Sequence, residues 1–336
     1  MTRSETALHK PGEARPPRHR HLREAALCIL TATLFVLMIY PWGSESFLRL
    51  SGQTKAINDV VFGPGDLIAT ASDDASIRLW THGGELTRNI TGHSDRVVCL
   101  AFSPSGERLA SGSGDGEIRI WDVATGIEVS LLHETDRSIG AVTFDGTGTR
   151  LYSVGWHSAL DVWDTGSGRL LERIPLPAAA ESCILIEKDT RILIGCADGV
   201  VRRCDLSTKR VDDALTGHTG GVKGLAIAAD GDTVATSALD NTVRLWSLSG
   251  QRSLAKLSFP AHVQDLAFCR DDSLLLTGTR HGDVNLIDVK RRVQLANVAT
   301  PLNFIRSVWC DGKDRCAAGG KTALAVLFSV DDLLSP

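Results

Sequence analysis

Apolar runs of five or six residues recur along most of this chain, and turn-forming residues interrupt them. The stretch Gly92 to Asp122 shows the pattern best: GHSDRVVCLAFSPSGERLASGSGDGEIRIWD. Three runs, VVCLAF, RLASGS and EIRIW, are separated by SPSGE and by Gly-Asp-Gly. Short β-rich runs split by Gly, Pro, Ser and Asp predict three antiparallel strands joined by tight turns. GIEVSLL, just after the Trp-Asp, supplies a fourth strand.

The unit repeats. Trp80, Trp121, Trp163, Cys204, Trp246, Ile287 and Leu327 hold one position in seven successive copies, at intervals of 41, 42, 41, 42, 41 and 40 residues. A period of about 40 to 45 residues, opened by Gly-His and closed by Trp-Asp, resembles the WD-repeat propeller family. The resemblance covers residues 47–332. It implies an all-β, seven-bladed propeller of four-stranded antiparallel blades. The blades are expected at 56–90, 97–132, 138–174, 182–215, 221–256, 263–298 and 305–330. The last blade lacks an outer strand, and Phe47–Leu50 matches the fourth strand of the other copies. We therefore expect Phe47–Leu50 to close blade seven and remove the open edges of an incomplete ring.

The same resemblance assigns side chains. His93, Ser111, Asp115 and Trp121 match the family's hydrogen-bonded set, and His218, Thr236, Asp240 and Trp246 match it at identical spacings. Each Asp is expected to accept from its His, which links through the hydroxyl to the indole N–H. On paper these sets resemble a Ser-His-Asp triad. Their recurrence in different blades favours a structural role. Blade one keeps Thr70, Asp74 and Trp80 but has Gln53 in place of the His. Blades three, six and seven carry His157, His281 and Lys321 where the Asp would stand, and are expected to lack the network.

In WD-repeat propellers the residue before the turn Asp commonly lies on the upper face and contacts partners. That position gives Asp73, Gly114, Trp156, Ala197, Leu239, Arg280 and Gly320. Trp156 and Arg280 stand out, because these residue types are enriched at interface hot spots, and Leu239 adds an apolar contact. Alignment of VQDLAF with VVCLAF places His262 at the start of its blade's first strand, where it could lie near His281 on the same face. Two histidines without a third ligand make no metal site, and no metal or cofactor is expected.

Charge and hydropathy divide the chain. Residues 1–24 contain three Pro, show no apolar periodicity and are expected to be disordered. Residues 25–42, AALCILTATLFVLMIYPW, carry no charge over 18 residues. A helix of that length spans roughly 27 Å, near the bilayer core. Two readings compete: a retained signal anchor, which we adopt, and a signal peptide removed near Ser44 or Ser46. Six Lys or Arg and three Glu lie in residues 1–42, leaving 30 basic and 37 acidic residues beyond. The basic flank predicts a cytoplasmic N-terminus and an extracytoplasmic propeller. The acidic remainder argues against non-specific nucleic-acid binding.

The eight cysteines show no zinc or haem spacing. Cys99, Cys183, Cys196 and Cys269 read as small buried hydrophobes. Cys310 and Cys316 flank the turn DGKDR, and a disulfide could join them in an oxidising compartment. Gly320-Lys321-Thr322 is no phosphate loop, because Arg315 stands where one needs Gly. Two function classes follow. One is a membrane-anchored scaffold for an unidentified protein partner. The other is a propeller enzyme with a metal or small molecule at the channel, which would need inward carboxylates or histidines on successive blades.

Overall fold

The computed structural model describes residues 47–133 and 137–334. The segments 1–24 and 25–42, expected to be disordered and membrane-spanning, lie outside the described residues. Among the described residues, 28 strands form seven four-stranded antiparallel sheets. No helix among them is long and apolar enough to cross a membrane.

Each blade runs outward from an innermost strand. Blade two, for example, is Val97–Phe102, Arg108–Ser113, Glu117–Asp122 and Glu128–His133, paired in that order. The innermost strands of consecutive blades pack side by side, and that of blade seven, Ile305–Cys310, packs on that of blade one, Ile57–Phe62. The ring is therefore closed.

Burial follows from this layout. The second strands are covered on both faces by the blades on either side, so RLASGS and TVATSA are buried at every position but the first. Small residues predominate there because the neighbouring blade approaches closely. A Cβ on Gly112 would lie 2.5 Å from Ile139, and one on Gly278 would lie 2.4 Å from Ile305. The outer strands pack on one side only, and LTRNIT buries Ile90 alone. The core is correspondingly divided into seven apolar clusters, each spanning two adjacent blades. Val61, Leu79 and Ile90 of blade one meet Val97, Leu100 and Leu109 of blade two.

Blade seven closes as its sequence implies, with the strand one residue further along. Leu48–Ser51 pairs antiparallel with Leu324–Ser329, with Leu50 opposite Ala325. Leu50 is 1 % exposed and packs with Ile57, Ile68, Trp80 and Leu327. Phe47 lies just outside the strand and meets Phe328 edge-on, with ring centroids 5.7 Å apart.

The register of blade seven needs one correction. Trp80, Trp121 and Trp246 face Ile68, Leu109 and Val234, and the residue at that position in blade seven is Phe328, opposite Cys316. It is not Leu327. The turn-Asp position thus falls on Thr322 rather than Lys321, and the upper-face position on Lys321 rather than Gly320. Backbone conformation shows the same shift. The residue after the turn-Asp position is left-handed in all seven blades: Ala75, Gly116, Ser158, Gly199, Asn241, Gly282 and Ala323.

Candidate functional site

The upper face is the one that carries the turns between second and third strands. One backbone bond fixes each of these turns. The amide just before the turn-Asp position donates to the link that enters the same blade. Asp73 donates to Ala56, Gly114 to Arg96, Trp156 to Ser138, Ala197 to Ala179, Leu239 to Gly221, Arg280 to His262 and Lys321 to Phe304, at 2.8 to 3.1 Å. Six side chains, with Gly114 as the seventh position, are thereby presented on one face around the channel.

They differ in freedom. Asp73 accepts from Asn58 Nδ2 at 2.8 Å and forms an ion pair with Arg306 of blade seven at 3.2 Å. That pair ties blade one to blade seven, so Asp73 is partly engaged within the ring. Leu239 is half-buried, and Arg280 and Lys321 are exposed. The Arg280 guanidinium lies over the Phe304 ring, 5.1 Å from its centroid, which orients it by a cation–π contact. Trp156 is 50 % exposed, an unusual state for an indole in a well-packed ring. His262 is half-buried, and its Nδ1 is buried without a hydrogen-bond partner. Two groups of three metal-ligating side chains gather among the described residues, and neither contains His262 or His281.

The internal sets lie beneath this face. In blade two His93 Nδ1 is 3.1 Å from Asp115, and Nε2 is 2.8 Å from Ser111 Oγ. Trp121 Nε1 donates to the same Oγ at 2.8 Å. In blade five the matching distances are 2.9 Å from His218 to Asp240, 2.6 Å to Thr236 and 2.8 Å from Trp246 to Thr236. The Asp acceptor fixes the tautomer: Nδ1–H donates to it, and Nε2 accepts from the hydroxyl. Burial pushes both histidines below their ordinary pKa despite the adjacent carboxylates. Burial opposes ionisation of Asp240, but donors from Thr242, His218 and Thr219 hold its pKa down at about 2. Both hydroxyl oxygens are buried and engaged by an indole and an imidazole, so neither is placed to attack a substrate.

Other blades keep pieces of the set. In blade one Trp80 donates to Thr70 at 2.9 Å, and Gln53 replaces the imidazole by donating to the Thr70 carbonyl at 3.3 Å. Blade three retains more than its sequence suggests, since Trp163 still donates to Ser153 Oγ at 3.0 Å.

Innermost strands of blades one, four, five, six and seven line a channel cavity of about 560 Å³. Asp59 and Asp265 lie in it as a half-buried pair bridged by Ser307, which donates to Asp59 at 2.9 Å. Leu100 N–H donates to Asp59 at 2.8 Å, and Val308 N–H to Asp265 at 3.0 Å. Burial first, and then the charge of Asp59, raise the Asp265 carboxyl to about 7. Sequence reasoning missed this pair. Its only signal is an Asp inside an otherwise apolar inner strand, in INDVVF and VQDLAFC.

A family model described as the IFT122 first beta-propeller matches residues 56–326. The chain belongs to this WD-repeat propeller family. Among curated relatives, the Drosophila melanogaster protein groucho is 28% identical over 211 residues, 60% of this chain and 29% of its own length. Rattus norvegicus apoptotic protease-activating factor 1 is 25% identical over 308 residues, 78% of this chain and 24% of its own. The Xenopus tropicalis U3 small nucleolar RNA-associated protein 15 homolog is 23% identical over 227 residues, 67% of this chain and 44% of its own. The chain therefore spans less than half the length of each. A WD-repeat propeller of this kind is typically a non-enzymatic scaffold that binds protein partners.

Proposed function

We propose that this WD-repeat propeller captures a protein partner on its upper face, through Trp156 and Arg280, while residues 25–42 tether it to a membrane. The observation that carries the reading is Trp156, half-exposed on a turn whose backbone is pinned at both ends of its blade. A large rigid aromatic held out of the core loses little conformational freedom on binding and gains much buried area. Arg280, already oriented over Phe304, adds a second ordered contact on blade six. Leu239 on blade five, Asp73 on blade one and His262 at the entry to blade six complete the contact set.

The tether and its direction rest on sequence: 18 uncharged residues, with six basic residues before them. Only Gly43 to Ser46 stand between that segment and the ring, at most roughly 14 Å of extended chain. Proximity labelling from the anchored protein tests the reading. Trp156→Ala with Arg280→Ala is expected to remove the labelled partner while expression, membrane location and melting temperature are unchanged. An unchanged labelling pattern moves the site to the lower face or the outer rim.

A further inference from the structure

Three cysteines that are far apart in sequence meet at the boundary of blades six and seven. Cys269 ends the innermost strand of blade six, Cys310 ends that of blade seven, and Cys316 lies opposite Cys310 in the next strand. Cys316 Sγ is 3.3 Å from Cys310 Sγ and 3.9 Å from Cys269 Sγ, and all three sulfurs lie within 4.8 Å of one another. These separations are far beyond the ~2.05 Å of a disulfide, and all three thiols are free. Three thiolates around one metal at about 2.3 Å would stand about 4 Å apart, inside the range of 3.3 Å to at most 4.8 Å over which these sulfurs lie.

We propose that Cys269, Cys310 and Cys316 form a trigonal thiolate site for a soft monovalent cation, Cu(I). Thiolate ligands select soft ions. A structural zinc site needs four ligands, and among the described residues no fourth His, Cys, Asp or Glu joins the three. Binding displaces the thiol protons to solvent and forms three metal–sulfur bonds, with no change of oxidation state. Cys310 lines the channel cavity beside Asp311 and Gly312, which gives an ion a way in.

The surroundings are rigid. Arg270, Asp271 and Asp272 are three successive left-handed residues directly after Cys269. Such residues are unfavourable by roughly 1–2 kcal/mol each. Here the turn is pinned to the blade-seven hairpin: Arg270 N–H donates to Lys313, Asp271 N–H to Gly312, and the Arg270 side chain pairs with Asp314 at 2.7 Å. The three sulfur positions are thus set before any ion arrives.

The test uses the reduced full-length chain without oxygen, titrated with Cu(I) against a competing Cu(I) chelator. The expected result is one Cu(I) retained per chain. Cys269→Ser and Cys310→Ser should each weaken retention at least about tenfold, the least that losing even an outer-shell partner costs, and Cys183→Ser should not. X-ray absorption on the wild-type complex should show three sulfur neighbours, a readout that does not depend on the variants folding. The proposal is overturned by no retention, by retention unchanged in both variants, by fewer than three sulfurs, or by tighter retention of Zn(II) than of Cu(I).

Discussion

At the level of single residues, the two hydrogen-bonded sets give this ring its sensitivity to acid. His93 and His218 are buried and neutral in the fold, while an unfolded histidine takes up a proton near pH 6.5. Their contribution is complete above that value and is lost as the pH falls through it, because the unfolded state then binds more protons. Asp265 has the opposite sign. Its carboxyl is raised to about 7, so its contribution is present below the unfolded value and is lost as the pH rises through 7. Gln53, which stands at the histidine position of blade one, identifies the replacement that separates the two effects. His93→Gln with His218→Gln should cost about 1–3 kcal/mol per site at neutral pH. The variant's melting temperature should also fall less than the wild type's between about pH 7.5 and 5.5. A parallel fall in both proteins would place the acid sensitivity elsewhere. Ala323, left-handed where Gly116, Gly199 and Gly282 stand in other blades, points the other way. Ala323→Gly should stabilise by roughly 0.5–1 kcal/mol, the relief of a left-handed Cβ less the entropy added to the unfolded chain. A lower melting temperature would contradict this.

Among the elements, the blades with intact motifs were readable and the last one was not fully so. Gly-His, Ser or Thr, Asp and Trp at fixed spacing define the register of blades two and five because each residue has a distinct partner in the hydrogen-bonded set. LAVLFS has no such residue, and an uninterrupted apolar strand buried on both faces carries no alternation to mark which side a residue faces. The register there slipped by one, and with it the upper-face residue moved from Gly320 to Lys321. The closing strand was legible because Phe47–Leu50 repeats the outer-strand pattern of the other copies. Leu50→Ala should destabilise the whole ring by about 2–5 kcal/mol, since Leu50 packs on both blade one and blade seven. Chemical denaturation with a single, earlier transition is the expected outcome. Loss of one separate, low-stability phase with the remainder unchanged would mean that the closure does not couple the ring.

For the molecule as a whole, what the sequence hid is what the ring brings together. Cys269 and Cys310 stand one blade period apart, at equivalent strand ends, and a search for short ligand spacings passes over that signal. Asp59 and Asp265 come from blades one and six and meet only because blade seven lies between them with Ser307. Trp156 could be placed on the upper face by counting the family position, although its exposure could not be read that way. The proposed tether is tested by its orientation. A reporter active only outside the cytoplasm, fused after Pro336, is expected to work, and activity of a cytoplasm-only reporter there would reverse the orientation. Against the upper face stands a rival surface, the outer rim of blade two, where Ile127, Val129 and Leu131 are exposed at 66%, 49% and 44%. The measurement that separates them is the Kd of the captured partner for purified wild type, Trp156→Ala and Ile127→Ala. A hot-spot residue costs about 2 kcal/mol or more on truncation, at least tenfold in Kd. The upper-face account predicts that loss for Trp156→Ala and an unchanged Kd for Ile127→Ala; the reverse pattern would contradict it.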